Sequence, residues 1–334
     1  MTNESSPDIC HIVVDTDTGI DDALALLYLA GRADVELSAI SSVYGNTLVE
    51  SALTNIARVL QVAGLDDVLV AKGAAGPIVG EPRIASHVHG HDGLGDIWRE
   101  TIIPKNLSPL SSAELLVKLG CSRPNYYDLL LLGPLTNVAL ALEIEPNLLT
   151  LFRSVVIMGG AGPFPPLGTV LMVDANTHND AEAATRVYSA PRNQLVMVSS
   201  SVTINTIVDE QGVQSLHRAG TKWGTFSAQI LESYMDFYQF TWGRRVAPIH
   251  DGLAAALGDA DIREALLMGP GRVTLGAYEW SGRRQSTVVL DWTTIRTGGD
   301  IDRVIGILQS APRSQTRFPT AMGYALGFGA NMMT

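Results

Sequence analysis

Long apolar runs are missing from this chain: no stretch approaches about eighteen uninterrupted apolar residues, and the polar start 1–8 has no basic segment followed by an apolar one. Neither a membrane span nor a secretory leader is legible, so a soluble, cytoplasmic protein is expected. Cysteine is scarce. Cys10 and Cys121 lack metal-ligand spacing and could form at most one disulfide, which fits a reducing compartment and two buried thiols. Basic residues are in deficit, 23 Lys and Arg against 34 Asp and Glu, which leaves a formal net charge of −11. Nonspecific affinity for nucleic-acid backbone comes from Lys and Arg displacing counterions, so that class of partner is excluded. Small neutral substrates or cations suit the balance better. No Pro-, Ser- or Gly-rich linker, charge block or internal repeat divides the chain, so residues 9–334 are expected to fold as one domain behind a flexible tail, 1–8.

What the chain does have is apolar residues, 46% of 334 against 17% charged, and these alternate between strand-like and helix-like periods. A short apolar run, His11-Ile-Val-Val-Asp15, precedes a turn allowed by Gly19 and a helix over 23–30 stopped by Gly31. The plan repeats: a strand over 35–43, the turn Tyr44-Gly45-Asn46, an amphipathic helix over 48–63 and a strand over 68–71. Further short strands are expected at 128–132, 154–158 and 194–199, with a helix at 222–242 and a strand at 288–292. Strands alternating with helices predict an α/β fold: an open, mainly parallel, Rossmann-like sheet with helices on both faces and additional C-terminal helices and strands. In such sheets the loops after the carboxyl ends of the strands build the site. Those loops here are polar or glycine-rich: 15–22, Gly45-Asn46, Gly133-Pro-Leu-Thr-Asn137 and Met158-Gly159-Gly160.

The first of these loops crowds Asp15, Asp17, Asp21 and Asp22 into eight residues with no Lys or Arg among them. Asp21 and Asp22 would favour a helix N-terminus by roughly 0.3 to 1 kcal/mol, but that leaves Asp15 and Asp17 unexplained. Carboxylates in this pattern suit a hard cation such as Ca²⁺ or Mg²⁺. The same D-T-D-T also fits haloacid dehalogenase-type phosphatases, in which Asp15 would be the nucleophile. His87, His89 and His91 alternate in a glycine-rich loop, and for any one of them a solvated side chain is the alternative to a role. Asp174 and Asn176 precede a helix that Asp180 can cap over 181–188. His250 and Asp251 stand side by side before another helical stretch, a pairing that matters only if it meets the acidic turn in space.

Taken together these residues resemble the nucleoside hydrolases, calcium-dependent enzymes that cleave the N-glycosidic bond of ribonucleosides. The signature D-x-D-x-G-x-D-D-A-x-A stands here as Asp15-Thr-Asp17-Thr-Gly19-Ile-Asp21-Asp22-Ala23-Leu-Ala25. Gly45-Asn46, the loop from His89 to Gly95, Gly133 to Asn137, Met158-Gly-Gly160, Asn176 with Asp180-Ala-Glu182, His250-Asp251 and the strand Thr287 to Asp291 follow in family order. The resemblance implies one Ca²⁺ held by Asp17, Asp22, Asp251 and the main-chain carbonyl of Leu132, with the attacking water and the ribose diol as further ligands. It implies that Asp17 takes the water's proton and that His250 protonates the leaving base. Asp21 and Asn46 would bind ribose hydroxyls, Asp174 and Asn176 the 5′-hydroxyl side, Met158 would pack under the sugar and His89 would border the base. A homodimer or homotetramer acting on a small ribonucleoside, of the inosine-uridine type, is the expected form.

Three departures are visible. Thr18 replaces the usual proline, a change a turn should tolerate; Asp174 stands where glutamate is common; Gly168 falls near a usual asparagine. The last two point to a substrate altered at its 5′ position or to weak catalysis, and they keep open a calcium-dependent nucleoside or ribose binder beside the hydrolase and phosphatase readings.

Overall fold

The computed structural model describes residues 9–160, 174–204 and 206–257 and the backbone of two strands at 273–280 and 283–290. Its first half runs β1 (Cys10–Thr16), α1 (Ile20–Ala30), β2 (Val35–Ser42), α2 (Val49–Ala63), β3 (Leu69–Ala71), α3 (Ser86–His89), α4 (Ser112–Ser122), β4 (Tyr127–Leu131) and α5 (Thr136–Ile144). There follow β5 (Ser154–Met158), α6 (Ala175–Asn179), α7 (Ala181–Ser189), β6 (Gln194–Val198), α8 (Ser200–Thr203), β7 (Ile207–Asp209), α9 (Glu210–Ala219), α10 (Lys222–Trp242), β8 (Val246–Pro248), α11 (His250–Leu257), β9 (Val273–Trp280) and β10 (Arg283–Leu290).

Six strands form one parallel sheet in the order β3-β2-β1-β4-β5-β6. Its central strands are fully buried, because helices cover both faces and leave no side for polar alternation. Two apolar clusters lie on the two faces: Ile12, Val14, Leu130 and Val156 face α1, α2 and α10, while Val13, Leu129, Leu131 and Val155 face α4, α5 and α7. Strand order reverses between β1 and β4, which opens the crevice where ligands bind in doubly wound sheets. Two antiparallel pairs, β7 with β8 and β9 with β10, are the C-terminal additions.

Several details depart from the sequence reading. The histidine loop contains a helical turn, α3, and α11 already begins at His250; Asp291 and Trp292 of the strand expected over 288–292 lie outside the described residues, as do 1–8 and Gly168. Cys10 is buried but Cys121 is exposed, since it lies on the outer side of the amphipathic α4. Among the described residues no helix is long and apolar enough to cross a membrane.

Candidate active site

The site grows from the end of β1. The ladder between β1 and β4 continues one step past the strands, the Leu132 amide donating to the Asp15 carbonyl at 2.8 Å. That contact puts Leu132 beside the acidic turn. Asp15 points into the sheet, where its Oδ1 accepts from Ser41 and, at 2.8 Å, from Asn137 Nδ2. Asp17 points across the crevice to Gly45-Asn46, accepting the Asn46 amide at 2.7 Å. Gly45 has φ +152°, and a Cβ there would lie 2.1 Å from Asp17 Oδ2, so only glycine lets the carboxylate in. Asn46 Nδ2 then bridges two acids, 3.3 Å from Asp17 Oδ1 and 2.8 Å from Asp22 Oδ2.

Helix packing brings in the distant partner. Helix α1 is buried along both sides and packs against α11, and both helices carry buried small residues, Ala23 and Ala25 on α1 and Ala254 and Ala255 on α11. Both helices start in the crevice. The first turn of α11 therefore meets the first turn of α1, and the Asp251 amide approaches Asp21 Oδ2 at 3.4 Å across 230 positions of sequence. Ligand oxygens of Asp21, Asp22 and Asp251 lie within 4.8 Å of one another, all buried. Asp17 stands beside this trio rather than within it, tied to it through Asn46.

None of these four acids belongs to an ion pair among the described residues. Burial, and then the charge of Asp22, raises the Asp17 carboxyl well above its usual range and Asp21 to about 7. Burial and the charges of Asp21, Asp22 and Asp17 raise Asp251 likewise. Buried oxygens that repel one another and lack a basic partner suit a hard divalent cation, and two helix N-termini add favourable dipoles for the carboxylates. Cation and protons then compete for the same oxygens. The increase in melting temperature produced by excess calcium over EDTA is expected to grow as pH rises from about 4 to about 7, because the raised carboxyls must lose protons to bind. Buried His89 and His250, whose depressed values make total stability rise with pH, contribute to both scans and cancel in the difference. A calcium increment independent of pH would contradict a carboxylate cage.

His89 is buried, with Nδ1 accepting the Ile20 amide at 3.1 Å. This imidazole completes the N-terminus of α1, and Gly19 makes room for it: a Cβ at Gly19 would lie 2.6 Å from that nitrogen. Burial and two neighbouring histidines push its pKa down to about 3, so the ring is neutral and carries its proton on Nε2. It stacks on Tyr234, with 5.3 Å between centroids. His250 Nδ1 lies 2.6 Å from Thr203 Oγ1, and its Nε2 lies 3.5 Å from the Tyr238 hydroxyl. Burial lowers its pKa to about 4. Tyr234 and Tyr238, one helical turn apart on α10, pack edge to face and line the histidines.

Asp174 and Asn176 lie at the start of α6, beside the end of β5. Asp174 caps α6 through the Thr177 amide at 2.8 Å, and its other oxygen accepts the Gly160 amide at 2.7 Å. Asn176 Nδ2 donates to the Leu132 carbonyl at 2.6 Å and to the Met158 carbonyl at 3.1 Å. Asn176 thus holds the backbone at Leu132 and Met158, and Asp174 holds it at Gly160. Their reach toward a 5′-hydroxyl would come from remaining acceptor capacity.

Sequence reasoning gave no role to Thr16, Tyr234 or Tyr238, and named Asn137 only as part of its loop. The helical spacing of the two tyrosines was a signal, but it reads equally as core. His87 and His91 are exposed and take no part in the contacts described for the crevice.

A family model described as inosine-uridine preferring nucleoside hydrolase matches residues 12–303. The inosine-uridine preferring nucleoside hydrolase of Leishmania major is 33% identical over 252 residues, covering 73% of this chain and 77% of that protein. The probable uridine nucleosidase 1 of Oryza sativa subsp. japonica is 31% identical over 242 residues, 72% of this chain and 74% of that one. A solved structure of a purine-preferring ribonucleoside hydrolase from Gardnerella vaginalis matches with a TM-score of 0.75 over 90% of this chain and 99% of the other, at 23% identity, a likeness of fold.

Proposed function

Because the chain belongs to the inosine-uridine preferring nucleoside hydrolase family, we propose that it hydrolyses the N-glycosidic bond of ribonucleosides, giving free base and ribose. The observation that carries this reading is the meeting of Asp251 with Asp21 and Asp22 in one buried crevice beside Asp17 and Asn46. Asp17, Asp22, Asp251 and the Leu132 carbonyl would hold Ca²⁺, with Asp21 close enough to share the task. Bound calcium would lower the pKa of an attacking water and engage the ribose diol. Asp17 takes the proton from that water. Asp21 and Asn46 hold ribose hydroxyls, and the carboxylates lessen the charge cost of an oxocarbenium-like transition state. His250, with the Tyr238 hydroxyl beside it, protonates the leaving base, and His89 borders the base.

The phosphatase alternative would need Asp15 as an exposed nucleophile, yet that carboxyl is buried against Ser41 and Asn137. Reducing-sugar release from purine and pyrimidine ribonucleosides, with and without EDTA, tests the proposal. Calcium-dependent ribose release is expected. Binding without release would leave a ribose binder, and phosphate release from p-nitrophenyl phosphate with Mg²⁺ would favour the phosphatase.

The role of Asp17 makes a further demand on Gly45. Gly45→Ala must displace Asp17 Oδ2, because the added methyl would sit inside its contact distance. A shift of about 1 Å in a catalytic group can lower turnover about 100-fold, and a loss of that order is expected in kcat with the fold retained by circular dichroism. Wild-type kcat would mean that the carboxylate at this point does no chemistry.

A further inference from the structure

The acidic turn contains a strained residue that the hydrolase reading leaves without a task. Thr18 is fully buried and β-branched, yet its φ is +23°, an angle such residues rarely take and one closed to proline, whose ring holds φ near −65°. Asn55 Nδ2 pins its carbonyl at 3.0 Å. Held this way, the Thr18 amide donates to Thr16 Oγ1 at 3.1 Å, and the two hydroxyls are 3.2 Å apart. Thr16 Oγ1 in turn donates to Asp22 Oδ1 at 2.5 Å. The threonine at 18, where the family resemblance leads one to expect proline, supplies an N–H that proline lacks.

We propose that Thr16, oriented by Thr18, is the positioning residue for Asp22, fixing the rotation of that carboxylate so that an oxygen is presented to the cation. The inference rests on the reading of the crevice as a metal site. Asp22 is fully buried and its carboxylate is held from three directions: Thr16 on Oδ1, and the Gly19 amide at 2.9 Å and Asn46 Nδ2 at 2.8 Å on Oδ2. Gly19 and Asn46 hold one oxygen only, so without Thr16 the carboxylate can pivot about Oδ2. A hydroxyl that both accepts from Thr18 and donates to Asp22 is polarised along the chain, which strengthens its hold on the anion. Outer partners of metal-binding carboxylates characteristically change metal affinity about 10- to 100-fold when removed.

The test uses the full chain stripped of metal, with calcium affinity measured by calorimetry and melting followed separately in EDTA. Thr16→Val keeps the shape and deletes the hydroxyl, and it is expected to weaken calcium binding about 10- to 100-fold. Thr16→Ser keeps the hydroxyl and is expected to bind within about threefold of wild type, a range well inside that loss. Should the valine variant not fold, Thr16→Ala removes the hydroxyl without setting a methyl against the carboxylate and gives the same comparison. A valine or alanine variant that binds calcium as wild type does, or a serine variant as weak as valine, overturns the positioning role. A lower melting temperature in EDTA with unchanged affinity overturns it too, because that is the mark of packing alone. Failure of the wild-type chain to bind calcium removes the metal site itself, and this result is distinct from the others.

Discussion

Asp17→Asn is expected to lower ribonucleoside hydrolysis on the order of 10²- to 10⁴-fold, the usual contribution of a positioned proton acceptor, while nucleoside binding persists. Asp17 is the acid of the turn that stands beside the trio of Asp21, Asp22 and Asp251, facing Gly45 and Asn46. An amide fills the same space and can still accept the Asn46 N–H. It cannot take a proton from water. Isothermal binding of a nonhydrolysable nucleoside analogue, measured beside kcat, separates the two effects. If turnover stays near wild type, the base is another residue, and Asp21, whose carboxyl is raised to about 7 by burial and by Asp22, is the next to substitute. If binding and turnover fall together, Asp17 acts chiefly in holding the cation.

His250→Ala is expected to separate two substrates. A purine or pyrimidine anion is a poor leaving group near neutral pH, so a positioned acid should contribute on the order of 10²- to 10⁴-fold. A p-nitrophenyl leaving group is stable as an anion and needs no such help. The variant should therefore lose most of its activity on inosine or uridine and keep most of it on p-nitrophenyl riboside, the ribose and the attacking water being common to both. The structure gives this test an additional edge. Burial holds His250 neutral, with a pKa of about 4, and its two nitrogens face Thr203 and Tyr238. The Tyr238 hydroxyl is the polar group next to His250 Nε2, and Tyr238→Phe should show the same selectivity in smaller measure. Equal losses on the two substrates would assign His250 to shaping the pocket or holding the first turn of α11.

The parts of this protein set by local chemistry could be read directly from the chain. The apolar run 11–15, the helix stopped by Gly31 and the turn at Gly45-Asn46 each follow from residues close in sequence, and together they gave a parallel α/β sheet with its site at the strand ends. The ordered motifs likewise named the acids, the asparagine and the histidines. Which of those side chains meet, and through what, was decided by packing. Asp251 reaches Asp21 because small residues let α11 lie close along α1, a property of two surfaces 230 positions apart that no local period reveals. The same holds for the tautomer of His89, set by an Ile20 amide that only the folded chain brings to it, and for Asp174, whose two oxygens are taken by the Thr177 and Gly160 amides. The left-handed backbone at Thr18 is the clearest case. The sequence supplies a threonine, but the buried contacts of Asn55 and Thr16 hold it at an angle that an isolated β-branched residue would leave.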